Sequence, residues 1–390
     1  MTRSLKNSPN LAEIVLAHIS NDGLRLVATH CGPSLMTIAL SVSSNSLKAI
    51  LSVCRACPNL RSLTLRKSEA ELNGDLIAVG AVLHCPLIEQ LSTEWWDLTD
   101  AGLDALATIH TLTQLKVSAG KCTSAAIQRV LRANPNLAYI SVDTAVVGDA
   151  LLRCIGDCCR IIKRLEWYRL TYHSAPTVSN SALQDLFRGC PLLEAVRLHL
   201  PGGKPTATLR ALFQYCHHLT DLHLDIDYLS SAELQVMCSE PILYAYYPTL
   251  TKLSVNGDGV SDSALRDIFT YCINIHTLNL RDCTHVTDAT ITAPAQNCCC
   301  LDTLTLDRCK NITIAGVLEV ASHRTNLTSL TLKHMPVSDE LLIKLSLHCR
   351  NLIRLHLFDC RSGSISDAGI CAVLKECRSL KYVATNSKTS

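Results

Sequence analysis

The chain has no surplus of either charge: 36 lysines and arginines stand against 34 aspartates and glutamates. No long run of one sign breaks that balance, so the sequence suggests no nucleic-acid or membrane-surface partner. No apolar stretch approaches the ~20 residues that cross a bilayer, and the opening MTRSLKNSPN lacks the apolar core of a signal peptide. The expectation is a soluble protein of the cytoplasm, the nucleus or both. Phosphate-loop, nucleophile-elbow and H-E-x-x-H zinc motifs are missing, so catalysis is not expected and no cofactor is implied. Aromatic residues make up only 4% of the chain, which gives weight to any place where they gather.

The chain is rich in cysteine, with 21 in 390 residues, and 48% of it is hydrophobic, with a mean hydropathy of +0.20. That is far too apolar for disorder. An odd number of cysteines without a secretion signal argues against a disulfide framework. The question is sharpest at NCCCLDTLTLDRC, residues 297–309, where the thiols could serve a metal, a redox device or simple packing.

Alignment of the chain with itself answers it. CPNLRSLTL (57–65), CPLLEAVRL (190–198), CHHLTDLHL (216–224), CINIHTLNL (272–280), CCCLDTLTL (298–306) and CRNLIRLHL (349–357) share one phrase, C-x-x-L-x-x-L-x-L, with isoleucine or valine allowed for leucine. With its first leucine as anchor, the phrase recurs at 11, 35, 60, 88, 112, 137, 162, 193, 219, 250, 275, 301, 327, 352 and 380, fifteen times at spacings of 24 to 31 residues. Three positions after each anchor the residue is Ile, Leu or Val, and five positions after it is apolar in thirteen of the fifteen. This period of two predicts a short strand with one face buried. Phrases such as LTDAGLDAL (98–106), VSDSALRDI (260–268), VTDATI (286–291), VSDELLIKL (337–345) and ISDAGICAVL (365–374) follow, with Ser or Thr placed to cap an amphipathic helix. Strand then helix at this period is the leucine-rich repeat unit. The expected fold is therefore α/β: a single solenoid over 1–390, horseshoe-shaped and ribonuclease-inhibitor-like, with a parallel concave sheet and outer helices.

The repeat also absorbs most of the thiols. Nine cysteines lie three positions before an anchor, and Cys283, Cys309 and Cys360 lie eight after one, so twelve of the 21 are repeat positions. A structural zinc needs four converging ligands, whereas this ladder offers no second close pair, and buried packing is the expected role.

Cysteine before the strand, cysteine after it and V/I-[ST]-D at the helix start make the chain resemble the cysteine-containing leucine-rich repeats of F-box proteins, over roughly residues 8–385. In that family the repeats form the substrate-holding arm of a Skp1–cullin–F-box (SCF) ubiquitin ligase, acting in ubiquitin-dependent protein catabolism, and the F-box binds Skp1. LAEIVLAHI (11–19) also looks like the opening of an F-box, but Leu11 stands 24 residues before Leu35, in phase with the repeats. The expectation is a repeat there, and a repeat arm like that of the F-box-less relatives similar to the yeast mitotic-exit antagonist, with the Skp1/cullin machinery reached only if an F-box is supplied elsewhere.

A protein substrate or regulator is expected on the concave sheet. The candidate partner-binding residues are Arg66, Lys67, Glu94, Trp95, Glu166, Tyr168, Arg169, Arg197, His199, His223 and Asp225, where arginine and aromatic side chains, the usual interface anchors, gather on successive strands. The insertions 171–180 and 241–248 are expected at the rim of this surface. An alternative is a sensor of small molecules or inositol phosphates using Arg66, Arg197, Arg281, Lys333 and Arg354, interrupted by Glu166, Asp225 and Asp307. A structural scaffold is a further alternative. His199, His223 and Asp225 could in principle hold a metal, but a polar surface cluster is the expectation.

Overall fold

The computed structural model describes residues 10–42, 47–67, 73–93, 98–117, 122–143, 146–168, 178–199, 211–225, 249–257, 262, 265, 269, 272–297, 300–323, 326–360 and 365–386. The chain divides into two compact units, Met1–Leu193 and Glu194–Ser390.

In the N-terminal unit the strands are β1 (Glu13–Ile19), β2 (Thr37–Val42), β3 (Ser62–Lys67), β4 (Gln90–Thr93), β5 (Gln114–Val117), β6 (Tyr139–Asp143) and β7 (Arg164–Tyr168). Each pairs in parallel with the next. The helices between and after them are α1 (Asn21–Cys31), α2 (Leu47–Ala56), α3 (Gly74–His84), α4 (Asp100–Leu106), α5 (Ser124–Ala133), α6 (Asp149–Cys158) and α7 (Asn180–Gly189). The C-terminal unit continues with β8 (Ala195–His199), β9 (Asp221–Asp225), β10 (Lys252–Asn256), β11 (Thr277–Arg281), β12 (Thr303–Asp307), β13 (Ser329–Lys333), β14 (Arg354–Phe358) and β15 (Tyr382–Asn386), again parallel and consecutive. Its helices are α8 (Asp288–Asn297), α9 (Ile314–His323), α10 (Asp339–His348) and α11 (Asp367–Glu376).

Every strand begins two residues after its leucine anchor, from Glu13 after Leu11 to Tyr382 after Leu380. The α/β repeat fold expected from the periodicity is the one found, and residues 11–35 form a repeat: β1 pairs with β2, and Ser20 caps α1 by accepting from the Gly23 N–H. Because partners match anchor to anchor, the apolar positions three and five after each anchor stack on one another, as Leu278, Leu304 and Leu330 do. These leucines are buried, and so are the inward residues of the helices, such as Ala126, Ile127, Val130 and Leu131 of α5. Within each unit the core therefore lies between sheet and helices, and no described helix covers the other face of the sheet.

Two hydrogen-bonded ladders tie successive repeats together. The first runs through sulfur. Cys309 Sγ donates to the Leu280 carbonyl at 3.5 Å in the preceding repeat and lies 3.6 Å from the Asp307 carbonyl in its own, and Cys360 repeats the pattern toward Leu332 and Phe358. At the other cysteine position, Cys85 Sγ donates to Cys54 O and Cys377 Sγ to Cys349 O. The described cysteines are free thiols, mostly buried, and burial pushes Cys57, Cys216 and Cys349 up to about 12. Cys298 lies outside the described residues. In the slot three before Leu137 the chain has Asn134, fully buried, which accepts from the Leu112 N–H and donates to Val130 O. An amide there does with stronger hydrogen bonds what sulfur does elsewhere.

The second ladder explains the aspartate of the [ST]-D phrase. The expected hydroxyl caps are present at Thr99, Ser338 and Ser366, while 260–268 lies mostly outside the described residues. The neighbouring aspartate does not serve its own helix alone. Asp100 accepts from both N–H and Oγ of Thr123 in the next repeat, and Asp149 does the same from Ser179, Asp262 from Thr287, Asp288 from Thr313 and Asp339 from Ser366. Each carboxylate thus holds the cap of the following helix. A Cβ at Gly369 would lie 2.3 Å from Asp339 Oδ1, which is why the third residue of that helix has no side chain.

Cys309→Ala removes a fully buried sulfur and its contacts to two carbonyls, and should cost about 1–2 kcal/mol in chemical denaturation with no change in partner binding. The carboxylate ladder predicts a pH effect. Hydrogen bonds from Thr123, Ser179 and Ser366 hold Asp100, Asp149 and Asp339 below the ordinary carboxylate value of 3.8. A depressed folded pKa contributes stability above the unfolded value and loses it as pH falls toward the folded one. Melting temperature should therefore hold from neutrality to about pH 5 and drop below about pH 4. In a D100N/D149N/D339N variant the acid drop should be shallower.

Candidate interaction surface

On the uncovered face of the N-terminal unit, outward residues of β5, β6 and β7 meet in register, Gln114 beside Tyr139 beside Arg164, and Lys116 beside Ser141 beside Glu166. Glu166 sits at the centre. It accepts from Tyr139 Oη at 2.9 Å and from Arg164 Nε at 2.8 Å, and the Arg164 guanidinium also lies 5.6 Å from the Tyr139 ring centroid. Glu166 keeps only 14% of its side chain exposed. Burial, chiefly, together with the Glu166 charge, pushes the Tyr139 phenol up to about 12, so it remains a hydrogen-bond donor at neutral pH. The arrangement is a fixed polar platform in which one carboxylate orients a phenol and a guanidinium.

The C-terminal unit carries a different feature, at the ends of its strands. Seven positions after their anchors, Asp282, Arg308, His334 and Asp359 all have positive φ, between 46° and 56°. The chain turns there so that the N–H at this position donates to the next repeat, as Asp282 does to Asp307 O and His334 to Phe358 O. Left-handed backbone at non-glycine residues is uncommon, and here four successive repeats adopt it. It brings arginines, aspartates and a histidine together. Arg281 Nε lies 3.5 Å from Asp307 and 3.4 Å from Asp282, Arg308 lies 3.5 Å from Asp282, and His334 stands between Asp307 at 2.9 Å and Asp359 at 3.6 Å. The sequence shows the alternation Arg281-Asp282, Asp307-Arg308 but not the turn that aligns it.

The residues singled out from the sequence fare unequally. Arg197 is exposed on β8 and stands in register with His223 of β9, while His199 and Asp225 occupy matched backbone positions one step further on. Glu166 is brought to the platform just described but is engaged by Tyr139 and Arg164 rather than open to a partner. Arg66 and Lys67 end β3 and Tyr168 ends β7, though the side chains of these three and of His199 and Asp225 lie outside the described residues, as do Glu94, Trp95, Arg169, residues 171–177 of 171–180 and all of 241–248. Nor are all outward positions exposed. Ser141, Ser254 and Thr331 are buried on this face, because short side chains lie below longer neighbours, with Asn279 donating to Ser254 Oγ at 2.9 Å. Tyr139 and the turn residues were missed by reading one strand at a time, whereas Arg164 was already legible as an outward residue of its strand. Lining up position two of successive repeats would have placed Tyr139 beside Arg164.

Among the described residues no helix is long and apolar enough to cross a membrane, and no group of three or more His, Cys, Asp or Glu is placed to hold a metal ion. No family model matches the chain, and no curated protein matches it. Solved structures do. The chain is similar to one in the crystal structure of the yeast Rad7–Elc1 complex, with a TM-score of 0.51 and 18% identity over 94% of this chain and 81% of that one. It is also similar to one in the TLR13–ssRNA13 complex, with a TM-score of 0.47 and 15% identity, covering 98% of this chain and 61% of that one. The likeness to the chain of the yeast complex agrees with a leucine-rich repeat fold built of parallel strands.

Proposed function

We propose that this chain is a non-catalytic protein-interaction module and that its uncovered sheet face holds a protein substrate or regulator. One observation carries the reading. Position three after every anchor, and position five after thirteen of the fifteen, repeat the same apolar chemistry, whereas the outward positions of the same strands change from repeat to repeat: Arg197, His223, Ser254, Asn279, Thr305 and Thr331 follow one another at the fourth position. A surface of fixed spacing and varied chemistry suits recognition of one extended partner face. The similar yeast structure is itself a two-protein complex.

The finer reading follows the cysteine-containing repeat phrase. We infer that the module is the substrate-recognition arm of a ubiquitin-ligase assembly related to the SCF type, working in the cytoplasm or nucleus. The sensor reading has less support. It needs cations free to converge on one anion, and Arg281 is already engaged by Asp282 and Asp307.

The test is capture from a cell extract by the tagged chain, followed by mass spectrometry, with two variants run beside it. A genuine partner should be lost, or weakened at least about tenfold, with R197A/H223A on the sheet face and retained with E340A/K344A on α10, whose Glu340–Lys344 pair lies on the helix surface. Equal losses from both pairs would overturn the sheet-face assignment. Co-purification of Skp1 and a cullin would support the ligase role, and their absence alongside a captured partner would reduce the proposal to the interaction module.

A further inference from the structure

The last three strands of the C-terminal unit differ from the ion-paired strand ends before them. Their outward residues are Ser329, Thr331 and Lys333 on β13, Arg354, His356 and Phe358 on β14, and Tyr382, Ala384 and Asn386 on β15, matched one to one by the strand register. None of these nine positions is acidic. Where Arg281 is closed off by two aspartates, Lys333 and Arg354 have no carboxylate partner among the described residues. Lys333 Nζ instead lies 5.4 Å from the centre of the Phe358 ring.

His356 stands in the middle of this patch. Its ring meets Phe358 edge-on at 5.8 Å and Tyr382 at 5.1 Å between centroids. Small residues flank it in register, Thr331 on one side and Ala384 on the other, so the imidazole lies in a trough between longer side chains. Its Nε2 is removed from solvent yet has no hydrogen-bond partner among the described residues. Buried polar atoms nearly always find a partner, so the patch carries an unsatisfied polar group beside its two cations. Burial, then the charges of Lys333 and Arg354, lower its pKa, and the same two charges that keep a proton off the ring attract an anion. Tyr382, 55% exposed, gives the patch an open aromatic wall.

We propose that the β13–β15 face binds an acidic stretch of a protein partner, seating a carboxylate between Lys333 and Arg354 next to His356 and laying apolar parts of that partner over Phe358 and Tyr382. The proposal rests on the reading of the sheet face as a protein-binding surface and names the chemistry of what one part of it holds. The basic zone is narrow. Asp359 follows Phe358 directly, and Asp307 and Asp282 lie along the preceding strand ends, so a polyanion running along the sheet would meet carboxylates within a few strands ~4.8 Å apart. An acidic residue within a mixed sequence meets only the two cations and the rings. That favours a peptide over a nucleic-acid strand, although aromatic and basic side chains together can also stack bases.

The experiment uses the full chain and fluorescence anisotropy with three labelled probes: a twelve-residue Glu-Leu repeat peptide, the Gln-Leu peptide of equal length, and a dT12 oligonucleotide. The Glu-Leu peptide should bind, and the Gln-Leu peptide should bind at least about tenfold more weakly, the loss expected when a charge-assisted hydrogen bond is removed. K333A/R354A should weaken the Glu-Leu peptide by about tenfold or more, and Tyr382→Ala by a smaller factor, with melting temperatures unchanged. A measurement on the unaltered protein stands beside the variants: carbodiimide coupling of the Glu-Leu peptide, read by mass spectrometry, should place the new amide on Lys333 in preference to other lysines. Glu-Leu binding that ignores both variants, coupling spread over other lysines, or dT12 binding as tightly with the same dependence on Lys333 and Arg354 would overturn the proposal. If the Glu-Leu peptide fails while extract capture still depends on Arg197 and His223, the acidic-partner site falls and the interaction module stands.

Discussion

The structure depends on one constraint: each strand must meet the next in parallel with its apolar positions in register, and the shift in β1 falls past those positions, between Leu16 and Ile19. A shift of one residue would turn the leucines three and five after each anchor to the open face and bring polar residues into the core. Because every strand starts two residues after its anchor, the apolar columns line up from repeat to repeat within each unit. The variable spacing of 24 to 31 residues is taken up between one strand and the next rather than in the strands.

Register is supported from both ends of the strand. Past its end, the cysteine eight after the anchor bonds one carbonyl of its own repeat and one of the repeat before, which fixes the spacing of the two chains there. Before its start, the cysteine three before the anchor donates to a carbonyl of the preceding repeat, and between strand and helix the caps are held by aspartates of the preceding repeat. Neither ladder demands reactivity. A thiol is suited to the first because it is small, apolar enough to bury and still able to donate weakly. A carboxylate is suited to the second because it can accept from an N–H and a hydroxyl at once.

With register secured by buried groups, the uncovered face is free to vary, and the two units use that freedom differently. The N-terminal unit builds a platform in which Glu166 organises Tyr139 and Arg164. In the C-terminal unit Arg281 and Arg308 are engaged by aspartates at the strand ends, whereas Lys333, although beside Asp307 in register, and Arg354 make no ion pair with a described carboxylate. A surface that alternates between satisfied and unsatisfied polar groups is selective, since a partner gains most where the protein has left its own groups unmatched.

What the sequence by itself determined is the periodic part: the anchors, the strand starts, the hydroxyl caps and the structural role of most cysteines, because each is a local pattern imposed again by every repeat. The face offered to partners was legible only in outline. Arg197 and His223 were placed correctly as outward neighbours, but Glu166, read as open, is engaged by Tyr139 and Arg164, which lie on two different strands. The aspartate of the [ST]-D phrase, read as part of its own helix start, proved to hold the following helix as well, a partner 23 to 30 residues away that no local pattern names. The left-handed turns at Asp282, Arg308, His334 and Asp359 and the unpartnered Nε2 of His356 were decided by tertiary structure alone. Conformation at a turn, and the satisfaction of one buried atom, depend on which side chains neighbouring repeats bring within a few ångströms, and those neighbours exist only once the strands are paired.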